Sequence, residues 1–250
     1  MLTIESLMEL RLHRRKDKLN YSVLGPGNNE WSFLPSPEDV LEWFKLFRAG
    51  WVYPDDTAHA HAILHSGKHS NGFFLCKKVL AYGNLREIIA ACMIEELRKA
   101  GLGKVNGVFG SPQSSILLSG DIGRLLGVKT YVLEKDAKDP EGKRMLFKPD
   151  DPAPEGSVLL QIEELVTTWS SGGASTDAIV AGNPYPVTFA PFVGVLVHRP
   201  PKIERTLPDG RILVPFIEKQ VDAWVPIDCP LCADGSKAVL PKSNWAELVA

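Results

Sequence analysis

A chain of 250 residues that is 44% hydrophobic and 23% charged can bury one large core, and it holds too much apolar material to be disordered. Its formal net charge of -2 supplies no global basic field, which argues against nucleic acid or an anionic membrane as the main partner. The opening MLTIESLMELRLHRRKDKLN mixes acids, bases and short apolar pieces, so neither a signal peptide nor a membrane span is expected and the chain reads as cytoplasmic.

In chain order, residues 1–50 read as an N-terminal helical extension and residues 51–250 as the main body. Within the extension, SPEDVLEWFKLFRAG (36–50) has a Ser cap, a Pro in the first turn, early acids and a terminal Gly. These are the start and stop signals of a helix whose apolar face carries Val40, Leu41, Phe44 and Phe47. From residue 85 the pattern alternates: helix LREIIAACMIEELRKAG, strand VNGVFG, helix SSILLSGDIGRLLG, strand KTYVLEK, a polar loop, strand SVLLQIEEL, a helix from about Gly173, and strand FVGVLVH. Uniformly apolar strands alternating with helices predict an α/β fold with a parallel sheet covered on both faces. In such sheets ligands bind at the carboxyl ends of the strands.

Glu163 and Glu164 stand at one of those ends, in VLLQIEELVTTWSSGGAS (158–175). The hydroxyls of Thr167, Thr168, Ser170 and Ser171, with free N–H groups leading into a helix, suit a phosphate. The two carboxylates suit sugar hydroxyls, or a metal ion that also touches phosphate oxygens. A sugar phosphate satisfies both halves. Taken alone, the same residues equally suit a solvated strand end followed by a flexible Ser/Gly turn. Of the four cysteines, Cys76 and Cys92 lie singly in apolar surroundings and are expected to be reduced. Cys229 and Cys232 form one C-x-x-C pair, for which tetrahedral zinc would need two further ligands that no recognisable spacing supplies. A tight structural turn is the first reading, then a metal knuckle completed by a distant residue or a second subunit, then a redox pair.

VLLQIEELVTT resembles the phosphoribosyl-pyrophosphate signature of the type I phosphoribosyltransferases. ILHSGKHSNGFFLCKKVL (63–80) and GVFGSPQSSILLSGDIGRLLGV (107–128) are similar to segments of the orotate phosphoribosyltransferases, and CPLC looks like a C-terminal feature of some of them. The resemblance runs in matching order over roughly residues 55 to 240. It implies a parallel sheet flanked by helices with a small hood, and transfer of ribose 5-phosphate from phosphoribosyl pyrophosphate to a ring nitrogen of a planar base, orotate first, with magnesium carried by the pyrophosphate and a homodimer as the assembly. It implies Glu163 and Glu164 at the ribose hydroxyls, and Thr167, Thr168, Ser170, Ser171 and Gly172 at the 5-phosphate. Lys135 and Lys138, on the loop EKDAKDPEGKRMLFKPDDPAPEGS, would meet the pyrophosphate together with Lys68, His65 and the backbone near Ser114 and Ser115, while Phe73 and Phe74 would flank the base. The residues also permit plainer readings: a solvated charged hairpin for the loop, a polar turn for His65, core aromatics for Phe73 and Phe74. Departures are a Glu-Glu pair in place of Glu-Asp or Asp-Asp, TTWSSGG where Thr-Gly-Gly or Thr-Thr-Gly-Gly is usual, so that either Trp169 replaces a glycine outright or two residues are inserted and Gly172-Gly173 are the family glycines moved along, no histidine in the loop and no lysine in SPQSS. They leave two rival readings: a non-catalytic nucleotide-sensing module on the same fold, or a transferase for another base.

Overall fold

The computed structural model describes residues 3–14, 21–25, 30–31, 34–54, 59–113, 115–141 and 143–249. Five strands build the central sheet: β1 (Gly107–Gly110), β2 (Lys129–Tyr131), β3 (Val158–Val166), β4 (Thr188–His198) and β5 (Ile212–Glu218). Their order is β5-β4-β3-β1-β2 and every pairing is parallel. The strand β5 follows FVGVLVH and is not among the elements expected from the sequence. Loops leaving the carboxyl ends of β1, β3 and β4 all emerge on one side of the sheet.

Four longer helices matter here: α1 (Pro37–Leu46), α2 (Gly83–Lys99), α3 (Ile116–Leu126) and α4 (Ser170–Gly182). The alternation along β3 decides what each sheet face meets. Leu160 and Ile162 join the large core that contains α2 and α3, whereas Leu159 joins Phe109, Ala178 and Ile179 in a second core that contains α4. Gln161 and Glu163 share the Leu159 face, so two polar side chains in an apolar strand lie beneath α4. The two-sided covering explains why the strands read as continuous apolar runs.

Ser36 starts α1 with a reciprocal cap: its hydroxyl accepts the Asp39 N–H at 3.2 Å, and the Asp39 carboxylate accepts the Ser36 N–H at 2.9 Å. The residues that α1 buries are Val40, Trp43 and Phe44; Leu41 and Phe47 are only half-buried, so the apolar face is rotated toward Trp43 relative to the expected one. The extension is not purely helical. Arg11–Arg14, Tyr21–Leu24 and Glu30–Trp31 form a three-stranded antiparallel sheet. Nor does it stand apart, because Leu7, Leu10, Val23, Trp43 and Phe44 belong to the same core as α2, and Gly50–Val52 pairs with Gly72–Phe74. Trp43→Ala is therefore expected to destabilise the whole chain by about 3–5 kcal/mol in denaturant unfolding, in a single transition. A loss below about 1 kcal/mol, or a separate early transition, would mean that the extension folds independently of the main body.

Candidate functional site

Gly110 ends β1 opposite Ile162, which sets Ser111 beside Glu163. A Cβ on Gly110 would lie 2.6 Å from the Ile162 carbonyl oxygen and 2.7 Å from the Ser115 Cβ, so glycine is what lets this loop fold down onto β3. The result is a carboxylate enclosed by donors. Ser111 Oγ donates to Glu163 Oε1 at 2.7 Å, Gln161 Nε2 donates to the same oxygen at 2.8 Å, and Ser115 Oγ donates to Oε2 at 3.2 Å. Ser115 Oγ also accepts the Glu164 N–H at 3.0 Å. Glu163 is only 3% exposed. Burial is the largest influence on its carboxyl and raises the pKa above the ordinary value, against the pull of these donors.

Gln161 links the carboxylate to the far side of the sheet. Its Nε2 donates to Glu163 and to the Gly172 carbonyl at 2.9 Å, while its Oε1 accepts from Arg211 Nη1 and Thr176 Oγ1, both at 2.9 Å. All four hydrogen-bonding positions of the amide are filled. Arg211, almost fully buried, also pairs with Asp209 at 2.7 Å and lies over the rings of Trp169 at 5.5 Å and Phe189 at 5.1 Å. A continuous polar chain thus runs from the start of β5 through β3 to the loop after β1. Arg211, Thr176 and Ser111 are members of this polar chain that reading the sequence missed; the visible signal was Gln161, an amide inside VLLQIEEL.

Two hollows open beside this chain. A cleft of about 500 Å³ is lined by Ser111, Leu117, Glu163, Glu164, Ser171, Lys77 and Lys135, among others. A cradle of about 150 Å³ is bounded by Leu165 through Gly172 and by Glu163. The start of α4 has no side-chain cap, and its first N–H to bond within the helix is that of Gly173, to the Trp169 carbonyl. The N–H groups of Ser170, Ser171 and Gly172 are therefore the orphan donors of a helix start, an anion-binding arrangement. Trp169 holds φ 62°, the left-handed conformation that a glycine would take without strain. Its ring lies against Gly172, where a Cβ would approach it to 2.5 Å, and under Arg211. The indole thus packs toward the helix and Arg211.

The structure brings together Glu163, Glu164, Thr167, Thr168, Ser170, Ser171, Gly172 and Lys135 around these two hollows. Lys77, which the sequence reading did not single out, joins them. Lys138 sits exposed on the turn of the hairpin formed by Glu134–Lys135 and Met145–Leu146, its N–H bonded to Asp136, and lines neither hollow. Asp139 accepts the N–H groups of Lys143 and Arg144, which draws the described residues of that hairpin into a charged turn. Lys68 and His65 are exposed on the turn that follows Ile63. Ser114 lies outside the described residues, whereas Ser115 is buried under Glu163 and Glu164. Phe73 and Phe74 do not flank an open site. Phe73 packs edge-on against Trp245 and Phe74 against Phe44, both in apolar cores, because the strand that carries them is covered on both sides.

A parallel sheet with the switch from β1 to β3 at its centre, acids at the end of β3 and an uncapped helix start behind them define the class: this is the fold of the type I phosphoribosyltransferases. No protein-family model matches the chain. It is 30% identical over 203 residues to the orotate phosphoribosyltransferase of Acidithiobacillus ferrooxidans, covering 77% of this chain and 94% of the relative. It is 28% identical over 204 residues to that of Carboxydothermus hydrogenoformans, covering 82% and 98%. The solved orotate phosphoribosyltransferase from Aeropyrum pernix superposes with a TM-score of 0.53 at 18% identity, over 72% of this chain and 93% of that one. The chain belongs to the orotate phosphoribosyltransferase family.

The raised pKa of Glu163 gives a pH test. With a folded value above the ordinary 4.5, the native state keeps this proton where the unfolded chain has lost it. The carboxyl then costs stability increasingly as pH rises from the unfolded value to the folded one, and by a constant amount above it. The stability of wild type minus that of Glu163→Gln should therefore fall with rising pH across that window and then level off in urea unfolding. A difference that rises with pH would show that the donors outweigh desolvation and hold the folded pKa low.

Proposed function

We propose that this chain transfers the ribose 5-phosphate unit of phosphoribosyl pyrophosphate to a ring nitrogen of orotate, releasing pyrophosphate. The observation that carries the reading is the juxtaposition, at one strand end, of an uncapped helix start, a half-buried carboxylate and a lysine-lined cleft. The 5-phosphate fits the cradle, where the N–H groups of Ser170, Ser171 and Gly172 and the hydroxyls of Thr167 and Thr168 receive it. The pyrophosphate fits the cleft beside Lys135 and Lys77.

The two acids divide the work. Glu163, already holding its donors, fixes the floor of the site. Glu164 lies at the cleft wall and serves the ribose hydroxyls. The acidic donors facing the cleft are carboxylate oxygens, a hard set suited to magnesium; Glu164 would hold the ion, which would supply positive charge against the pyrophosphate. In the reaction the bond from the anomeric carbon to the pyrophosphate oxygen breaks with its electron pair going to pyrophosphate. The orotate nitrogen forms the new bond from the opposite face and gives up its proton. Charge grows on the leaving pyrophosphate as that bond lengthens, so Lys135 and Lys77 stabilise the transition state more than the bound substrate. The resemblance extends the reading to a homodimer in the cytoplasm, and the free, buried thiols of Cys76 and Cys92 suit a reducing compartment. Trp169, the residue that favours a sensing module in the sequence, leaves the start of α4 open in the structure, which supports catalysis.

The direct assay is pyrophosphate release from phosphoribosyl pyrophosphate with magnesium against a panel of planar bases. Release with orotate, and not with uracil or adenine, is expected; binding without release would favour the sensing module, and release with another base would reassign the acceptor. Lys135→Ala should lower kcat by about 10–100-fold, the equivalent of one charged hydrogen bond of roughly 1.5–3 kcal/mol, with little change in KM. Lys138→Ala should stay within about threefold of wild type, because its side chain lines neither hollow. Equal losses for the two lysines would mean that the hairpin reaches over the cleft as a unit.

A further inference from the structure

The hood is built from very short strands. His61–Ile63, His69–Ser70, Ala223–Trp224 and Ala238–Val239 form a four-stranded sheet, and the buried apolar cluster behind it holds Trp51, Ala62, Phe73, Val239 and Leu248. Strands of two or three residues over so small a core need another source of stability. The edge strands come from residues 223–239 and the inner hairpin from residues 61–70, so the hood must also join segments far apart in the chain.

Four side chains converge between those segments. His61 and His69 project from the inner strands, and Cys229 and Cys232 from the turn that links the two edge strands. One potential ligand atom from each lies within 4.8 Å of all the others. The His61 Nε2 is 3.1 Å from His69 Nδ1, 3.6 Å from Cys229 Sγ and 3.5 Å from Cys232 Sγ; Cys232 Sγ is 3.2 Å from His69 Nδ1. Zinc bonds of about 2.3 Å to sulfur and about 2.05 Å to nitrogen place tetrahedral neighbours about 3.3 Å apart for two nitrogens and about 3.6 Å for nitrogen and sulfur. These four separations lie within about 0.4 Å of those edges, and the other two pairs, His69 with Cys229 and Cys229 with Cys232, lie within 4.8 Å.

The outer contacts fix the chemistry of His61. Its Nδ1 lies 2.8 Å from Ser236 Oγ, whose hydroxyl donates in turn to the His59 carbonyl oxygen. The serine proton is committed, so Nδ1 must be the donor and Nε2 carries the lone pair. Without a cation, one lone pair then faces two sulfurs and a second imidazole nitrogen, more neighbours than a single acceptor can use. His61 and Cys229 are buried, His69 nearly so, and Cys232 reaches the surface, which supplies an entry path.

We propose that His61, His69, Cys229 and Cys232 bind one zinc ion as a closed structural site that fastens the C-terminal segment to the hood hairpin. With four protein ligands the site has no open position, so its role is to hold the hood and not to activate water. The ion fixes the strand pairing on both sides of the hairpin whose turn carries His65 and Lys68. This site is distinct from the strand-end cleft, and its soft thiolates set it apart from the hard oxygen donors there.

Zinc measured by plasma mass spectrometry on chain produced in zinc-supplemented medium, and purified without chelator, should reach about one equivalent per chain. In Cys229→Ser/Cys232→Ser it should fall below about a tenth of that. Dipicolinate treatment of wild type should lower Tm, and added zinc, but not magnesium, should restore it. If the double variant fails to fold, cobalt(II) reconstitution of wild type decides: intense visible bands of tetrahedral cobalt with thiolate-to-metal charge transfer are expected. Substoichiometric metal in the zinc-replete wild type, iron in place of zinc, an octahedral cobalt spectrum, or zinc undiminished in a folded double variant would each overturn the proposal.

Discussion

The architecture of the strand-end site depends on one buried carboxylate and the amide that serves it. Glu163 lies in a water-poor layer between β3 and α4, where an unpartnered charge would be very costly. Ser111, Ser115 and Gln161 supply its donors, and each comes with a structural obligation: Ser111 and Ser115 fold the loop after β1 onto the sheet, and Gln161 ties the carboxylate to the Gly172 carbonyl at the start of α4 and to Arg211. Removing Ser115 takes a donor from Glu163 Oε2, and removing Gln161 takes the acceptor of Arg211 Nη1, a loss of about 1–3 kcal/mol each. Such a network fixes where the cradle and the cleft lie relative to each other, so under the proposed function a sugar phosphate would meet both in a site formed before it binds.

The alternation of the strand accounts for an acid pair in which one member is almost fully buried. Successive residues on a strand point to opposite faces, so Glu163 and Glu164 cannot occupy the same environment. Glu163 points under α4 into the polar chain, and Glu164 points to the other side, half-buried at the cleft wall. Trp169 lies beyond the strand, in the left-handed conformation at the start of α4. A left-handed conformation at a non-glycine residue costs about 1–2 kcal/mol, and here the indole gains contact with Gly172 and with the buried Arg211 guanidinium. The ring is fixed by the network that fixes the acid.

Much of this was legible in the sequence because the determinants are local. The cap at Ser36, the apolar strands and the acid pair followed by hydroxyls gave the helix α1, the parallel sheet and the strand-end site. What stayed hidden depends on tertiary contact. Trp43 is buried in a core that draws residues from the extension, such as Leu7 and Val23, together with residues of α2. Phe73 and Phe74 look like ligand-facing aromatics until Trp245 and Phe44 are seen against them. Arg211 lies 50 residues beyond Gln161, and no periodicity links them. His61 and His69 are eight residues apart on paired strands, and lie 168 and 163 residues before the cysteines they face. Strand pairing, which sequence spacing does not encode, brings them together.

A crystal structure with phosphoribosyl pyrophosphate and magnesium bound would test this account most directly. The 5-phosphate should sit within hydrogen-bond distance of the Ser170, Ser171 and Gly172 N–H groups, and the ribose hydroxyls should meet Glu164. Glu163 should keep its bonds to Ser111 and Gln161. A Glu163 side chain swung out to the ribose, with its bonds to Ser111 and Gln161 broken, or a phosphate held away from the start of α4, would contradict it.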